Sequence, residues 1–384
     1  MWVFLLVFLL VTAVWGTYLS YRLIRPLGLS PGWTLFLRLL MYLPMLIPMV
    51  YMLRRALDNA FLNQVLEVVV LTSLAYYSFL LGLSIFRDLA VGVSYLLGRL
   101  LHNKYLDFFG SSRVLRSSCL TIIGASTLML FLGLYNALGM PAVKAVEVPI
   151  KELHPSLDGF QIVQLTDIHV DDLKREKLIR EISAAVDVIS PDLTVITGDL
   201  VDGQVETCAH LLEPFRDLPD NTFLITGNHE YYSGFDSWMD HFRTFHFRIL
   251  LDQHELIRHQ EARILIAGVT DPASENSFPD RPRGVEVAAK DAPPADFKIL
   301  LAHQPGEIHD AEKFGFDLQL SGHTHGGQFF PWNYLVDLFH PYVRGLNRHG
   351  NMWIYVSQGT GFWGPPIRLG TRSEITLLTL KRED

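Results

Sequence analysis

Phe316-Asp-Leu-Gln-Leu-Ser-Gly-His-Thr-His-Gly-Gly-Gln328 is the stretch from which the fold and the chemistry of this chain can be inferred. Its apolar start is typical of a short strand, which ends where Gly322 lets the backbone turn. His323 and His325 follow two residues apart, a spacing at which an extended or tightly turned backbone can project both side chains to one side. Each imidazole could then offer a ring nitrogen to a metal ion. We interpret the stretch as a strand that delivers metal ligands; the alternative is a polar turn with two solvent-facing histidines.

Four further segments of the C-terminal half repeat this pattern, in which a short apolar run ends in residues that can bind a metal ion. An Asp, Asn or His after a strand more often belongs to a cap or a turn, so each segment is weak evidence by itself. Five such segments in one domain favour a common site. The four are Phe160–Thr166 before Asp167 and His169, Leu193–Thr197 before Asp199 and Asp202, Thr222–Thr226 before Asn228 and His229, and Phe297–Leu301 before His303.

Helical patterns lie between some of these strands, and strand-like runs continue along the chain. Strands that alternate with helices predict layered α/β structure, and ligands in such folds gather at the carboxyl ends of the strands. We therefore expect the residues that follow the strands to meet in space. The helical patterns are Leu173–Ile189, Glu206–Phe215 and Phe235–Phe245, and the further strand-like runs are Ala262–Ala267, Trp353–Ser357 and Glu374–Leu380.

The ordered set Asp-x-His, Gly-Asp-x-x-Asp, Gly-Asn-His-Glu, a lone His and Gly-His-x-His resembles the calcineurin-like metallophosphoesterase superfamily, from about Val148 to the C-terminus. Gly322–Gln328, Tyr355–Gly359 and Pro366–Gly370 are similar to its membrane-attached branch, and within it to the family called transmembrane protein with metallophosphoesterase domain. No core motif position departs from the pattern. The resemblance implies a two-sheet α/β/β/α sandwich that hydrolyses a phosphoester.

The resemblance also implies two divalent metal ions bridged by one carboxylate, with a hydroxide between them as the nucleophile. A bridging carboxylate keeps two cations about 4 Å apart, where they can clamp both oxygens of an in-line phosphoryl displacement. Mixed nitrogen and oxygen ligands suit Mn, Fe or Zn better than Ca, and Mg is also compatible. The implied ligands of the first ion are Asp167, His169, Asp199 and His325, and those of the second ion are Asp199, Asn228, His303 and His323.

Two further residues would act on the phosphate without binding a metal ion. The resemblance implies that Asp202 orients His229, and we expect His229 to stabilise the transferring group or to protonate the leaving oxygen. An imidazole held by a carboxylate keeps one tautomer and a raised pKa. The alternative for Asp202 is an N-cap of the following helix. For Glu230 we expect no more than support of the loop.

The first 140 residues differ sharply from the rest of the chain. Hydrophobic residues make up 49% of the sequence, with nearly all of the excess before about residue 140, whereas 14 of the 15 histidines lie after residue 150. Four apolar stretches in succession are long enough to cross a bilayer, which disfavours buried helices of a large soluble protein. Their charged residues lie at the ends, which favours a membrane anchor over a transporter. The predicted spans are Trp2–Leu19, Trp33–Leu53, Val65–Phe86 and Cys119–Leu138, with an interfacial segment at Asp88–Arg116.

Charges in the predicted loops indicate an orientation. Five Lys or Arg residues lie between the third and fourth spans, against two in each of the other two loops. Placing the third loop in the cytoplasm obeys the positive-inside bias and puts the C-terminal domain on the extracytoplasmic side. We therefore expect a membrane anchor at residues 1–140, a linker at 141–155 and a phosphoesterase domain at 156–384.

These observations predict a multi-pass membrane protein that hydrolyses a phosphodiester, a phosphomonoester or a pyrophosphate. The membrane-attached branch includes enzymes that act on glycolipid precursors such as UDP-diacylglucosamine, so the resemblance makes a lipid-linked substrate plausible. The apolar stretch Phe329–Phe339 either receives this substrate at the membrane interface or packs in the core. The formal charge of −8 and the absence of a basic tract give no indication of a nucleic-acid partner, and Cys119 and Cys208 offer no disulfide framework. The alternative is a receptor or scaffold whose phosphoesterase domain binds metal without catalysis.

Overall fold

The computed structural model describes residues 2–48, 60–102, 110–171 and 176–383. Contacts between residues divide the chain into two compact units. The helical unit comprises Met1–Asn136, Phe329–Pro331 and Gly364–Leu369, and the sheet unit comprises Ala137–Gln328, Trp332–Trp363 and Gly370–Asp384. The division does not follow the order of the sequence, because two short segments of the C-terminal half belong to the helical unit.

The helical unit contains helices with the length and composition of membrane spans. Three stretches qualify, namely Leu5–Leu27, Val65–Leu100 and Ser112–Leu138, and each contains most or all of one predicted span. A π-helical turn at Ser20–Ile24 and a 3-10 turn at Arg25–Leu27 extend the first helix. The α-helices in the described part of this unit are α1 (Trp2–Leu19), α2 (Pro31–Leu40), α3 (Ala60–Leu100) and α4 (Ser112–Leu138).

The predicted span Trp33–Leu53 does not form one continuous helix among the described residues. Helix α2 ends at Leu40, and a 3-10 segment follows at Leu43–Leu46. Pro44 lies in that segment and has no backbone N–H to continue an α-helical ladder. The later part of the predicted span, residues 49–53, lies outside the described residues, so a fourth span is not confirmed.

Helix α3 is longer than predicted and carries a paired charge. It includes the first part of the segment Asp88–Arg116, for which we expected an interfacial loop, and residues 103–109 lie outside the described residues. Asp88 therefore lies inside the candidate span Val65–Leu100, two residues beyond the end predicted for the third span at Phe86. Its carboxylate contacts Arg22 at 2.6 Å and Arg87 at 2.8 Å, and accepts a hydrogen bond from the Tyr18 hydroxyl. An unpaired carboxylate at this place in a membrane span would be costly.

The two C-terminal segments of the helical unit pack against α3 and α4. Phe329 and Leu369 form a parallel bridge, and the ring of Phe329 meets Phe79 of α3 edge-on at a centroid distance of 5.9 Å. Gly82 leaves room for the ring of Phe330, because a Cβ at Gly82 would lie 2.6 Å from Phe330 Cε1. Gly133 of α4 leaves similar room for Ile367, and Gly133 O accepts a hydrogen bond from the backbone N–H of Arg368. These contacts make both segments part of the helical core.

Twelve strands form two six-stranded sheets in the described part of the sheet unit. The first sheet has the order β1-β12-β2-β3-β4-β5 and the second β10-β11-β9-β8-β7-β6. The strands are β1 (Ala142–Lys151), β2 (Gln161–Leu165), β3 (Leu193–Thr197), β4 (Thr222–Ile225), β5 (Arg248–Ile249), β6 (Gln253–His259), β7 (Ala262–Gly268), β8 (Phe297–Leu301), β9 (Leu318–Ser321), β10 (Gly345–His349), β11 (Met352–Val356) and β12 (Glu374–Glu383).

Helices cover the outer faces of both sheets. The largest core cluster joins the inner faces, with Ile162 and Phe223 of the first sheet in the same cluster as Ile299 of the second. Two further clusters pack helices on the outer faces, so the layers run α/β/β/α as the resemblance implied. The helices are α5 (Glu176–Ile189), α6 (Val205–Cys208), α7 (Asn228–Tyr232), α8 (Phe235–Phe242), α9 (Ser274–Ser277), α10 (Val285–Ala288), α11 (Ile308–Lys313) and α12 (Trp332–Leu335).

The structure differs from two of the local predictions. Most of the predicted linker 141–155 is strand β1, which pairs in parallel with β12 along ten residues. Pro149 is tolerated in this strand because β1 lies at the edge of its sheet. The helix predicted at Glu206–Phe215 is instead the short α6 followed by a 3-10 segment at Ala209–Asp217, which contains Pro214.

Parallel pairing determines where the loops of the site lie. Strands β2, β3 and β4 are parallel neighbours in the first sheet, and β8 and β9 are parallel neighbours in the second. Most of their residues are apolar and nearly all are buried, as expected for parallel strands covered on both sides. The loops after these five strands therefore leave the sandwich at the same edge.

Candidate metal centre

Seven predicted ligands follow these five strands, and most of them sit in an unusual backbone conformation. Five have a positive φ, between 50° and 69°, which is uncommon for residues with a side chain. Such strain is kept only where the surrounding structure enforces it, and it is frequent at functional sites. It was not predicted from the sequence. The five residues are Asp167, His169, Asp199, His323 and His325.

Close backbone approach explains the glycines that precede three of the ligands. A Cβ on Gly227 would overlap the carboxylate of Asp199, and a Cβ on Gly322 would overlap that of Asp167. The backbone N–H of His323 instead donates to Asp167 Oδ1 at 2.9 Å, which joins the loop after β9 to the loop after β2. Glycine at position 227 therefore lets two loops of the first sheet meet, and glycine at position 322 lets a loop of the second sheet meet a loop of the first.

The structure brings six predicted ligands together in overlapping clusters. In each cluster the candidate ligand atoms all lie within 4.8 Å of one another. Asp199 belongs to two clusters, as a carboxylate shared between two ions would, and His169 also belongs to two. His229, which was not predicted as a ligand, joins one of them. The clusters are Asp167–His169–His325, His169–Asp199–His229 and Asp199–His303–His323.

Distances inside the clusters show ring nitrogens directed at common points. His169 Nε2 lies 3.0 Å from His325 Nε2, and His303 Nε2 lies 3.1 Å from Asp199 Oδ2. His303 Nδ1 lies 2.8 Å from the carbonyl oxygen of Thr197, which can only accept, so Nδ1 carries the proton. This bond leaves Nε2 of His303 as the nitrogen available to a metal ion.

Asn228, the seventh predicted ligand, begins α7 directly after Gly227. Its Oδ1 atom is buried and has no hydrogen-bond partner among the described residues. A buried carbonyl oxygen without a partner is costly unless another group, such as a cation, satisfies it. The next residue, His229, donates its backbone N–H to Asp199 Oδ1 at 2.9 Å, which keeps Asn228 beside the shared carboxylate. These nitrogen and oxygen donors fit a first-row divalent ion.

His229 and Asp202 form the pair that the sequence predicted. His229 Nδ1 is hydrogen-bonded to Asp202 Oδ1, while His169 Nδ1 lies 3.5 Å from Asp202 Oδ2. Burial would lower the pKa of His229, but its bond to Asp202 and the charge of Asp199 outweigh this and raise the pKa to about 9. The N-cap of α6 is Gln204, so the alternative role of Asp202 as a helix cap does not hold.

Glu230 is more important to the site than the sequence indicated. Its carboxylate is buried and accepts hydrogen bonds from the backbone N–H groups of Gly227 at 2.6 Å, Leu200 at 2.7 Å and Asp199 at 3.1 Å. It therefore ties the loop after β4 to the loop after β3. Burial, and then the charge of Asp199, raise the pKa of Glu230 to about 7. Its place in Gly-Asn-His-Glu was the available sequence signal.

Aromatic residues beside the site were missed by the sequence analysis. The ring centroid of Tyr232 lies 5.4 Å from that of His229, and the ring centroid of Trp363 lies 6.0 Å from it. On the other side, the ring of His340 meets that of His323 at 5.4 Å. Trp363 and His340 lie far along the chain from the motif residues they contact, so no local pattern could reveal these contacts.

This fold and this cluster of ligands define the class of the protein. The family described as calcineurin-like phosphoesterase matches residues 160–327, which contain all seven predicted ligands. The chain belongs to this family. The resemblance found in the sequence is thereby confirmed.

Among its relatives are membrane-attached members of the family. The chain is 34% identical over 277 residues to the transmembrane protein with metallophosphoesterase domain of Danio rerio. This alignment covers 70% of this chain and 63% of the zebrafish protein. It is 37% identical over 266 residues to an uncharacterized metallophosphoesterase of Campylobacter jejuni, covering 68% of this chain and 69% of the relative. The chain thus spans less than two thirds of the length of the zebrafish protein. Together with the apolar helices, the relative named as a transmembrane protein marks this chain as a membrane protein.

Proposed function

We propose that this membrane protein is a metal-dependent hydrolase of phosphoesters with a dinuclear centre. The observation that carries the proposal is the position of Asp199, whose carboxylate belongs to two separate clusters of ligands. A shared carboxylate is the feature that distinguishes a two-ion site from two unrelated sites. The substrate bond would be a phosphodiester, a phosphomonoester or a pyrophosphate.

The residues divide between the two ions as the family pattern implies. When bound, the ions would supply positive charge to the phosphate and an activated water as nucleophile. The first ion would be held by Asp167, His169, Asp199 and His325, and the second by Asp199, Asn228, His303 and His323. Mn, Fe and Zn suit these donors, and Mg is also compatible.

His229 would act on the phosphate from beside the shared carboxylate. Asp202 holds its Nδ1, so its Nε2 is the nitrogen that can face a phosphate oxygen or the leaving oxygen. The hydrogen bond to Asp202 favours the protonated imidazole, which suits both roles. Asp202 would keep the ring in one orientation and tautomer.

We also propose a lipid-linked substrate of the kind represented by UDP-diacylglucosamine, an extracytoplasmic sheet unit, and a fourth span at Trp33–Leu53. The packing of Phe329 and Phe330 against α3 supports the first of these, because it places the chain after the ligand loop within the apolar helical unit. Cysteine labelling from either side of sealed vesicles would test the orientation.

The experiment that tests the proposed function is metal analysis of the purified full-length protein with an aryl phosphodiester assay. We expect two ions per chain and turnover that Asp199→Asn abolishes. Metal binding without turnover of any phosphoester would favour the receptor or scaffold instead. Turnover that survives Asp199→Asn would belong to a contaminant or to another site.

A further inference from the structure

Many exposed apolar side chains of the sheet unit lie in the segment Trp332–Phe339, at Trp363 and at Tyr232, the last residue of α7. Phe339 is 78% exposed and Leu338 is 76% exposed. Elsewhere among the described residues of this unit, exposed large apolar side chains occur near its start, at Leu138, Met140 and Val143, and singly at Val188 and Phe314. An extended exposed apolar surface marks an interaction site. We name this surface the apolar rim: Tyr232, Trp332, Tyr334, Leu338, Phe339 and Trp363.

Two residues of the apolar rim contact a histidine of the candidate metal centre. Tyr232 and Trp363 both contact the ring of His229, and His340, the residue after Phe339, contacts the ring of His323. The rim therefore begins at the two histidines that flank the shared carboxylate. A molecule that covers the rim would reach the metal centre with its other end.

Gln328 fixes one part of the rim to the ligand loop. Its Nε2 donates to the backbone oxygen of Trp363 at 2.8 Å, and its Oε1 accepts from the backbone N–H of Trp363 at 3.0 Å. Gln328 is only three residues after the ligand His325, and its side chain is buried. This pair of bonds holds Trp363 in place beside His229, although its indole remains half exposed.

The chain on either side of two rim residues belongs to the helical unit. Phe329–Pro331 directly precede Trp332, and Gly364–Leu369 directly follow Trp363, and both segments belong to the helical unit that carries the candidate spans. Trp and Tyr are enriched where a protein meets the surface of a bilayer. A molecule that offers apolar chains and a phosphate at this place is a membrane lipid.

We propose that the apolar rim binds the acyl chains of a lipid whose phosphoester is hydrolysed at the metal centre. This inference rests on the proposed function and assigns its substrate class to named residues. Trp332, Leu338 and Phe339 would contact the chains, whereas Tyr232 and Trp363 would pack beside the head of the lipid at His229. The rim thus determines substrate specificity and takes no part in bond cleavage.

Chain-length dependence provides the test. The full-length protein is assayed with p-nitrophenyl alkyl phosphodiesters from methyl to octyl, which share one leaving group. Each methylene that becomes buried should raise kcat/KM by up to about fourfold. We expect Trp332→Ser and Phe339→Ser to flatten this dependence, with the loss growing with chain length. Phe314→Ser, a matched substitution of a half-exposed aromatic residue outside the rim, should keep the wild-type dependence.

A second readout separates this inference from the proposed function. The affinity for alkylphosphonates of the same chain lengths should show the same dependence and the same response to the rim variants, with no turnover required. Binding that depends on chain length, without hydrolysis, would support lipid binding by the rim and contradict the proposed function. Hydrolysis by the wild type without chain-length dependence would contradict lipid binding by the rim. An equal loss of kcat/KM in the rim variants at every chain length would also contradict it. A response by Phe314→Ser as large as theirs would also overturn it.

Discussion

Glu230 accepts a hydrogen bond from the backbone N–H of Asp199 at 3.1 Å, and with its three other backbone bonds it joins the loops that carry Asp199 and Asn228. A single buried carboxylate thus positions the candidate bridging ligand without contacting a metal ion or the substrate itself.

Glu230→Gln should therefore weaken metal binding. The amide retains one acceptor oxygen but places an NH2 group against backbone N–H donors, which leaves buried donors without partners at a cost of about 1–3 kcal/mol. We expect lower metal content at limiting metal concentration and recovery of activity at higher concentration. Glu206→Gln, at an exposed position on α6, is the control and should behave as wild type. Full metal occupancy in Glu230→Gln would contradict the positioning role.

Asp202→Asn tests the function of His229. An amide at this position no longer favours the protonated imidazole, so proton transfer to the leaving oxygen should slow by about 10²–10⁴-fold. The measurement is kcat for phosphodiesters whose leaving alcohols span a wide range of pKa. We expect the loss to be largest for alkyl leaving groups and smallest for p-nitrophenolate, with little change in metal content. An equal loss for every leaving group would show that His229 stabilises charge and does not transfer a proton.

Gly82→Ala tests the packing of Phe330 in the helical unit. The new methyl group would lie 2.6 Å from the ring of Phe330, and overpacking of this kind costs about 1–3 kcal/mol. Gly92→Ala in the same helix is the matched control, because no heavy atom lies within 4 Å of its Cβ position. Alanine favours a helix over glycine by about 1 kcal/mol, so the two variants should shift thermal unfolding in detergent in opposite directions. Stabilisation by both would mean that Phe330 does not occupy this place.

Metal removal should lower the stability of the sheet unit. Asp167 and Asp199, both on strained backbone, lie near the imidazoles of the four histidines predicted as ligands. Bound ions would offset the repulsion between the carboxylate charges and between the lone pairs of the ring nitrogens. At a free metal concentration of 100 times Kd, binding contributes about 2.7 kcal/mol, all of which chelation would remove. We expect EDTA to lower the thermal midpoint of the wild type. The midpoint of Asp199→Asn should respond little, and an equal response would place the stabilising metal elsewhere.

The clustering of the candidate metal ligands was predictable because each of them lies close to the end of a strand in the sequence. Each follows a strand by two to four residues, and parallel strands bring their carboxyl ends to one edge whatever the details of packing. Three of the long apolar helices could also be predicted from the sequence, because the thickness of a bilayer sets the number of apolar residues that a span needs. The second predicted span was the exception, since Pro44 interrupts it within the described residues.

Only the tertiary structure decided which residues far apart in sequence act together. Strand β1 was predicted to be a linker because its exposed charges and Pro149 are not typical of a strand. Its pairing depends on β12, more than 200 residues away in the sequence. Trp363 reaches His229, and Phe329–Pro331 reach the helical unit, by contacts that leave no periodic signal along the chain. Sequence alone determined the chemistry and the membrane character, because both are set by residue type and local spacing. Three-dimensional packing decided how the apolar stretch after the ligand loop is divided, with Phe329 buried among helices and Phe339 left exposed beside the site.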